Sequence, residues 1–205
     1  MPVVRRPALT LACAVLALAL LGCTSDEKDP PTEPKAASTP LSDFATDEVP
    51  VVRGEFCTRV APEAATEALG AEPTDARTWA NGDRTPLTAT VRDVSHEYGC
   101  SWRAADGTAA RAWVFAPPVT GPRADQLVRE TRRADGCRPL TDAPAYGDPS
   151  TAVRCGREIA FHGLFGDAWL SCSLTPPATP ATTDEEALVD RAGRWCVAVA
   201  QAASE

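Results

Sequence analysis

The sequence predicts an α+β domain: an antiparallel sheet of about five strands with helices packed on it, in the order α-β-β-α-β-β-β-α. Three observations predict it. Apolar residues alternate in runs joined by hairpin-length connections, which favours antiparallel pairing. Between these runs lie three stretches with helical apolar stripes. Six cysteines spread through the last three-quarters of the chain add disulfide staples.

The chain of 205 residues begins with an address rather than with the fold. Arg5 and Arg6 precede an apolar run from Ala8 to Leu21, broken only by Thr10. That run is shorter than the roughly 20 residues a helix needs to cross a bilayer. A basic start, a short apolar core and a small residue before a cut describe a secretory signal over 1–22. The run closes on Leu20-Leu21-Gly22-Cys23, which resembles the lipobox of bacterial lipoproteins. The resemblance implies that the Cys23 thiol is acylated and becomes the new N-terminus. The expected partner is therefore the membrane, with the chain held on the outer face of the cytoplasmic membrane by two or more acyl chains.

Thr24 to Pro50 carries five prolines and seven acids without apolar periodicity. Such a segment buries too little surface to offset its ordering entropy. It reads as a disordered tether, reaching up to about 80 Å at roughly 3.1 Å per residue. The formal charge of the chain is −8, and it is more negative once Arg5 and Arg6 are removed. Phosphate backbones are repelled by that balance, so no nucleic-acid partner is expected.

The domain is expected over 51–205. Ala61–Leu69 places Ala61, Ala64, Ala65, Ala68 and Leu69 on one stripe, with Pro62 suited to a first turn and Gly70 to a C-cap. A polar loop containing Trp79 and Asn81-Gly82 follows. Leu87, Ala89 and Val91 then alternate, and Val94, His96, Tyr98, Cys100 and Trp102 alternate on the other parity, so a break falls near Asp93. Ala105-Asp106-Gly107 turns the chain into a strand from Ala109 to Ala116, ended by Pro117-Pro118. Arg123–Ala134 is a second helix capped by Gly136, facing Ala124, Leu127, Val128 and Thr131 inward. Strands follow near Ala152–Cys155, Glu158–Leu164 and Ala168–Leu174. Asp184–Ala203 is the last helix, with Leu188, Ala192, Trp195, Cys196, Val199 and Ala203 as its stripe.

An even number of cysteines in an exported chain points to structural disulfides, and no close pair offers a zinc knuckle or a CxxC redox site. Six cysteines allow 15 connectivities. Cys196 lies on the buried stripe of the last helix and Cys172 shares parity with Leu170 and Leu174, which favours Cys172–Cys196. Cys57 precedes the first helix and Cys100 points inward, which favours Cys57–Cys100 and leaves Cys137–Cys155. Each bond closing 15–25 residues contributes on the order of 3 kcal/mol.

Phe56-Cys57 before an Ala-rich helix ending in Leu69-Gly70 is one part of a recurring pattern. Tyr98-Gly99-Cys100-Ser101-Trp102, Gly163-Leu164-Phe165-Gly166 leading to Cys172, and Trp195-Cys196 complete it. The whole resembles an actinobacterial family of small cell-surface lipoproteins of unknown function. The resemblance implies an envelope location and assigns no catalytic or ligand residue.

No reaction motif stands out. GxSxG, HExxH, an EF-hand loop and a phosphate loop are all missing from the sequence, so no metal or cofactor is expected. His96 is expected on a strand face with core residues, and His162 on the side opposite Phe161. Asp125, Glu130 and Asp135 read as a solvated helix face. The candidate binding residues are Trp79, on its loop, and Trp113 with Phe115, which share one strand face. These features predict a non-enzymatic domain that binds an envelope protein, a glycan or a small ligand. The rival expectation is an envelope-polymer hydrolase with a carboxylate pair that no motif reveals.

Overall fold

A computed structural model describes residues 38–86, 92–178 and 184–204. The signal segment, Cys23, the first part of the tether, and the strand expected at Leu87, Ala89 and Val91 lie outside the described residues.

The first helix, α1 (Pro62–Leu69), forms where its signals lie: Pro62 opens it and Gly70 closes it at φ 74°, a left-handed conformation that L side chains resist. Four strands follow in the first half, β1 (Asp75–Trp79), the short pair β2 (Arg84–Pro86) and β3 (Arg92–Val94), and β4 (Glu97–Arg103). A tight turn at Gly107 returns the chain as β5 (Ala109–Phe115). Helix α2 (Gly121–Arg132) then leads to β6 (Cys137–Pro139), β7 (Ser150–Cys155), β8 (Glu158–Phe165) and β9 (Ala168–Thr175). Helix α3 (Glu185–Ala203) ends the fold, with Glu185 and Glu186 in the first turn, where negative charge suits the dipole.

The class is α+β with one antiparallel sheet, but the sheet has seven strands rather than five, in the order β1-β4-β5-β9-β8-β7-β6. β2 and β3 form a separate two-stranded ribbon. The two added strands are the edges. β1 reads Asp-Ala-Arg-Thr-Trp, without apolar alternation, because an edge strand is exposed on both sides. β6 has three residues and includes a proline. Trp79 is thus the last residue of an edge strand, not part of a loop.

Helices cover both faces. α1 and α3 pack on the face that presents Cys100, Ala112, Phe161, Leu170 and Cys172, all in the larger core with Trp195 and Leu188. α2 packs on the opposite face, over Leu164 and Trp169, through Ala124 and Val128. The sequence carries this in β9, where nearly every residue is buried, a pattern of strands covered twice. Helix α2 ends at Arg132, and Gly136, at φ 75°, turns the chain into β6 instead of capping the helix.

Disulfides join Cys57–Cys100, Cys137–Cys155 and Cys172–Cys196. Cys172–Cys196 ties α3 to a central strand, and beside it the buried Tyr146 hydroxyl donates to the Cys196 carbonyl oxygen at 3.1 Å. Gly163 is required there: a Cβ on it would lie 1.4 Å from the Tyr146 carbonyl oxygen.

The folded unit also begins before Val51. Leu41 is 4 % exposed and packs on Gly193 of α3, Phe44 and Val49 lean on the same core, and the Ser38 hydroxyl donates to Glu67 of α1 at 2.5 Å. Three apolar residues spread among prolines and acids produce no periodicity, so composition alone reads this stretch as tether.

Candidate functional site

Helix α2 packs on β6, β7 and β8, and among the described residues no helix packs on the same face of β1, β4 and β5. Register sets what that part of the sheet presents. Arg77 of β1 stands opposite Ser101 of β4, Ser101 opposite Arg111 of β5, and Arg111 opposite Ser173 of β9. The neighbouring row reads Trp79, Gly99, Trp113, Ser171 and His162. Strand parity puts all of these on one face.

Gly99 lowers the floor so that Trp79 can lie across it; a Cβ there would sit 2.3 Å from the indole. The Trp79 Nε1–H donates to Glu97 at 2.8 Å, and the Arg111 guanidinium lies 5.8 Å from the ring centroid. Burial raises the Glu97 carboxyl above its ordinary value, against the Trp79 hydrogen bond and the charge of Arg111, which lower it. Asp75 pairs with Arg77 at 3.0 Å. Among the described residues, no carboxylate lies within 4.0 Å of the Arg103 or Arg111 guanidinium. A trough of about 250 Å³ runs between Arg77, Trp79, Arg103 and Arg111, and a recess of about 60 Å³ continues past Arg111 to Trp113, Ser173 and Glu158.

Trp113 and Phe115 do not form a bare apolar patch. Their rings lie 4.9 Å apart, half-buried against the smaller core beneath α2. His162 sits at the same margin. Its Nδ1 is 2.8 Å from the Ser171 hydroxyl, and Trp169 and Trp113 lie with their rings 6.4 Å away. Burial pushes the imidazole down to about 4, so it is neutral at pH 7. Ser171 is 2 % exposed. Ser171 and His162 line the narrow recess of about 60 Å³, and no acid orients the imidazole among the described residues. His96, expected among core residues, is instead exposed in the link between β3 and β4, because the strand breaks at Ser95 and not nearer Asp93. Asp125, Glu130 and Asp135 are exposed as expected.

Another cavity, of about 390 Å³, opens elsewhere, between β6, the segment after it and the start of α3. It holds Asp142, Glu185 and Glu186. Glu185 already accepts from Arg138 and from Arg154, and these bonds hold its carboxyl below the ordinary range. Among the described residues no helix is long and apolar enough to cross a membrane, and no group of His, Cys, Asp and Glu has the geometry of a metal site.

Of the candidate residues, Trp79 and Trp113 are brought into one row of the open face with Gly99 between them, and Phe115 stands at its border. Cys23 lies outside the described residues. Arg111, Ser101 and Ser173 were missed. Their signal was available: Arg111 holds the same parity as Trp113 and Phe115, on the less buried side of a strand whose other side is all core. Comparison with protein families, curated proteins and solved structures found no match.

Proposed function

We propose that this chain is a non-enzymatic binding lipoprotein, anchored through Cys23 to the outer face of the cytoplasmic membrane, which binds an envelope component on the open half of its sheet. The observation that carries the reading is the arginine–serine row beside Trp79 and Trp113, on a broad part of the sheet that no helix covers among the described residues. The Ser171–His162 pair, with no acid orienting the imidazole among the described residues, supports binding over acyl-transfer chemistry. The described chain starts on the opposite layer, with Ser38 against α1 and α3.

The test has two arms. Full chain and a Cys23→Ser variant are expressed in a lipoprotein-processing bacterium and fractionated: the parent is expected in the membrane and the variant in the medium. Full chain in detergent is then mixed with isolated cell envelope. Co-sedimentation without release of soluble fragments is expected, and release of fragments would overturn the reading. The cavity with Asp142, Glu185 and Glu186 favours a second reading, a polymer hydrolase. Loss of fragment release in Glu186→Gln would establish that one.

A further inference from the structure

We infer that the open face recognises an acidic polysaccharide, with Arg111 gripping a carboxylate of one sugar unit and Trp79 holding that guanidinium in place. The inference rests on the binding reading above and names its ligand class. Four observations carry it.

The face is cationic on an acidic chain. Arg77, Arg103 and Arg111 line one trough against a single carboxylate there, Asp75, which pairs with Arg77, while the chain as a whole carries a formal charge of −8. Arg111 is exposed and free of carboxylates within 4.0 Å among the described residues, so its planar donor fork is available to a ligand carboxylate. Its position is set from behind by the Trp79 ring, itself fixed on Gly99 and bonded to Glu97. A stacked guanidinium loses less rotamer freedom on binding, which is a gain in preorganisation.

The rest of the surface suits sugar rather than a bare anion. Ser101 flanks Arg111 in register, lines the trough and offers a hydroxyl that exchanges hydrogen bonds with sugar hydroxyls. Trp79 and Trp113 give indole surface to the apolar face of a ring. The trough, at about 250 Å³, is smaller than the cavities that enclose drug-sized ligands, and it is open. It fits one ring of a chain that continues past it. Arg77 and Arg111 stand two strands apart, about 10 Å. Acidic groups repeated along a polysaccharide would meet Arg111 and compete with Asp75 for Arg77.

The probes are polygalacturonate, neutral dextran and inorganic polyphosphate, titrated against the full chain in detergent at low salt. Polygalacturonate is expected to bind, with at least tenfold weaker binding for Arg111→Gln and for Trp79→Ala. If Trp79 acts by positioning Arg111, the double variant is no weaker than Arg111→Gln alone. Arg111→Lys is expected to recover only part of the affinity, since an ammonium cannot make the paired contact. Equal binding of polyphosphate would reduce the face to charge alone and overturn the inference, as would equal binding of dextran. If polygalacturonate does not bind but whole envelope still co-sediments with the chain, the ligand class is wrong and the binding reading stands. If neither binds, both are wrong. Thermal unfolding of each variant separates lost binding from lost fold.

Discussion

Acidification is expected to weaken this fold through His162. The imidazole is held neutral at the margin of the smaller core, with a folded value near 4 against 6.5 when free. Above pH 6.5 neither the folded nor the unfolded chain protonates it, and the full stability is present. Between pH 6.5 and 4 the unfolded chain takes up the proton first, so stability falls as pH falls. Below about 4 both states carry it and the loss levels off. Two and a half pH decades at about 1.4 kcal/mol each set the largest loss at about 3.5 kcal/mol. Carboxylates titrate over the same range, so the comparison is with His162→Asn, whose amide keeps a partner for the Ser171 hydroxyl but cannot take a charge. Urea unfolding at pH 7.5, 6, 5 and 4 gives both stabilities. The parent is expected to lose about 2–3 kcal/mol more than the variant on going from pH 7.5 to 4. Parallel curves, within about 0.5 kcal/mol, would refute the reasoning, as would an imidazole NMR titration centred near 6.5.

Three further outcomes follow from the packing. Cys172→Ala with Cys196→Ala opens a loop whose ends lie 24 residues apart and is expected to cost about 3 kcal/mol, read as a lower denaturation midpoint under non-reducing conditions. Gly163→Ala drives a methyl into the Tyr146 carbonyl oxygen; a loss of about 3 kcal/mol or more is expected, and an unchanged melting temperature would show that β8 and the Tyr146 segment separate easily. Leu41→Ala empties a buried site on α3 and is expected to cost about 2–4 kcal/mol, with faster proteolysis ahead of Val51; no loss would mean that the stretch before Val51 does not belong to the folded unit.

Much of the architecture was legible because its signals are local. Pro62 and Gly70 bracket α1, Gly107 turns β4 into β5, and parity placed Cys100 and Cys172 in the core. All three cysteine pairings agree with the structure. What stayed hidden depends on partners distant in the chain. β1 is a strand only because β4 offers it a ladder; its own residues prefer no state strongly. Leu41 is buried only because Gly193, far along the chain, leaves room for it. The open face is harder still. Trp79, Arg111 and Ser173 become neighbours through a sheet order in which β1, β4, β5 and β9 lie side by side, and nothing in any single segment announces that order.

The cysteine connectivity has a further consequence for how the chain matures. Each bond joins a cysteine to the next one along the domain, first to second, third to fourth, fifth to sixth, so the three closed loops neither nest nor cross. Among these six cysteines, a polypeptide emerging N-terminus first therefore presents the correct thiol before a wrong one. Oxidation in order of appearance reaches the native set directly, without a reshuffling step.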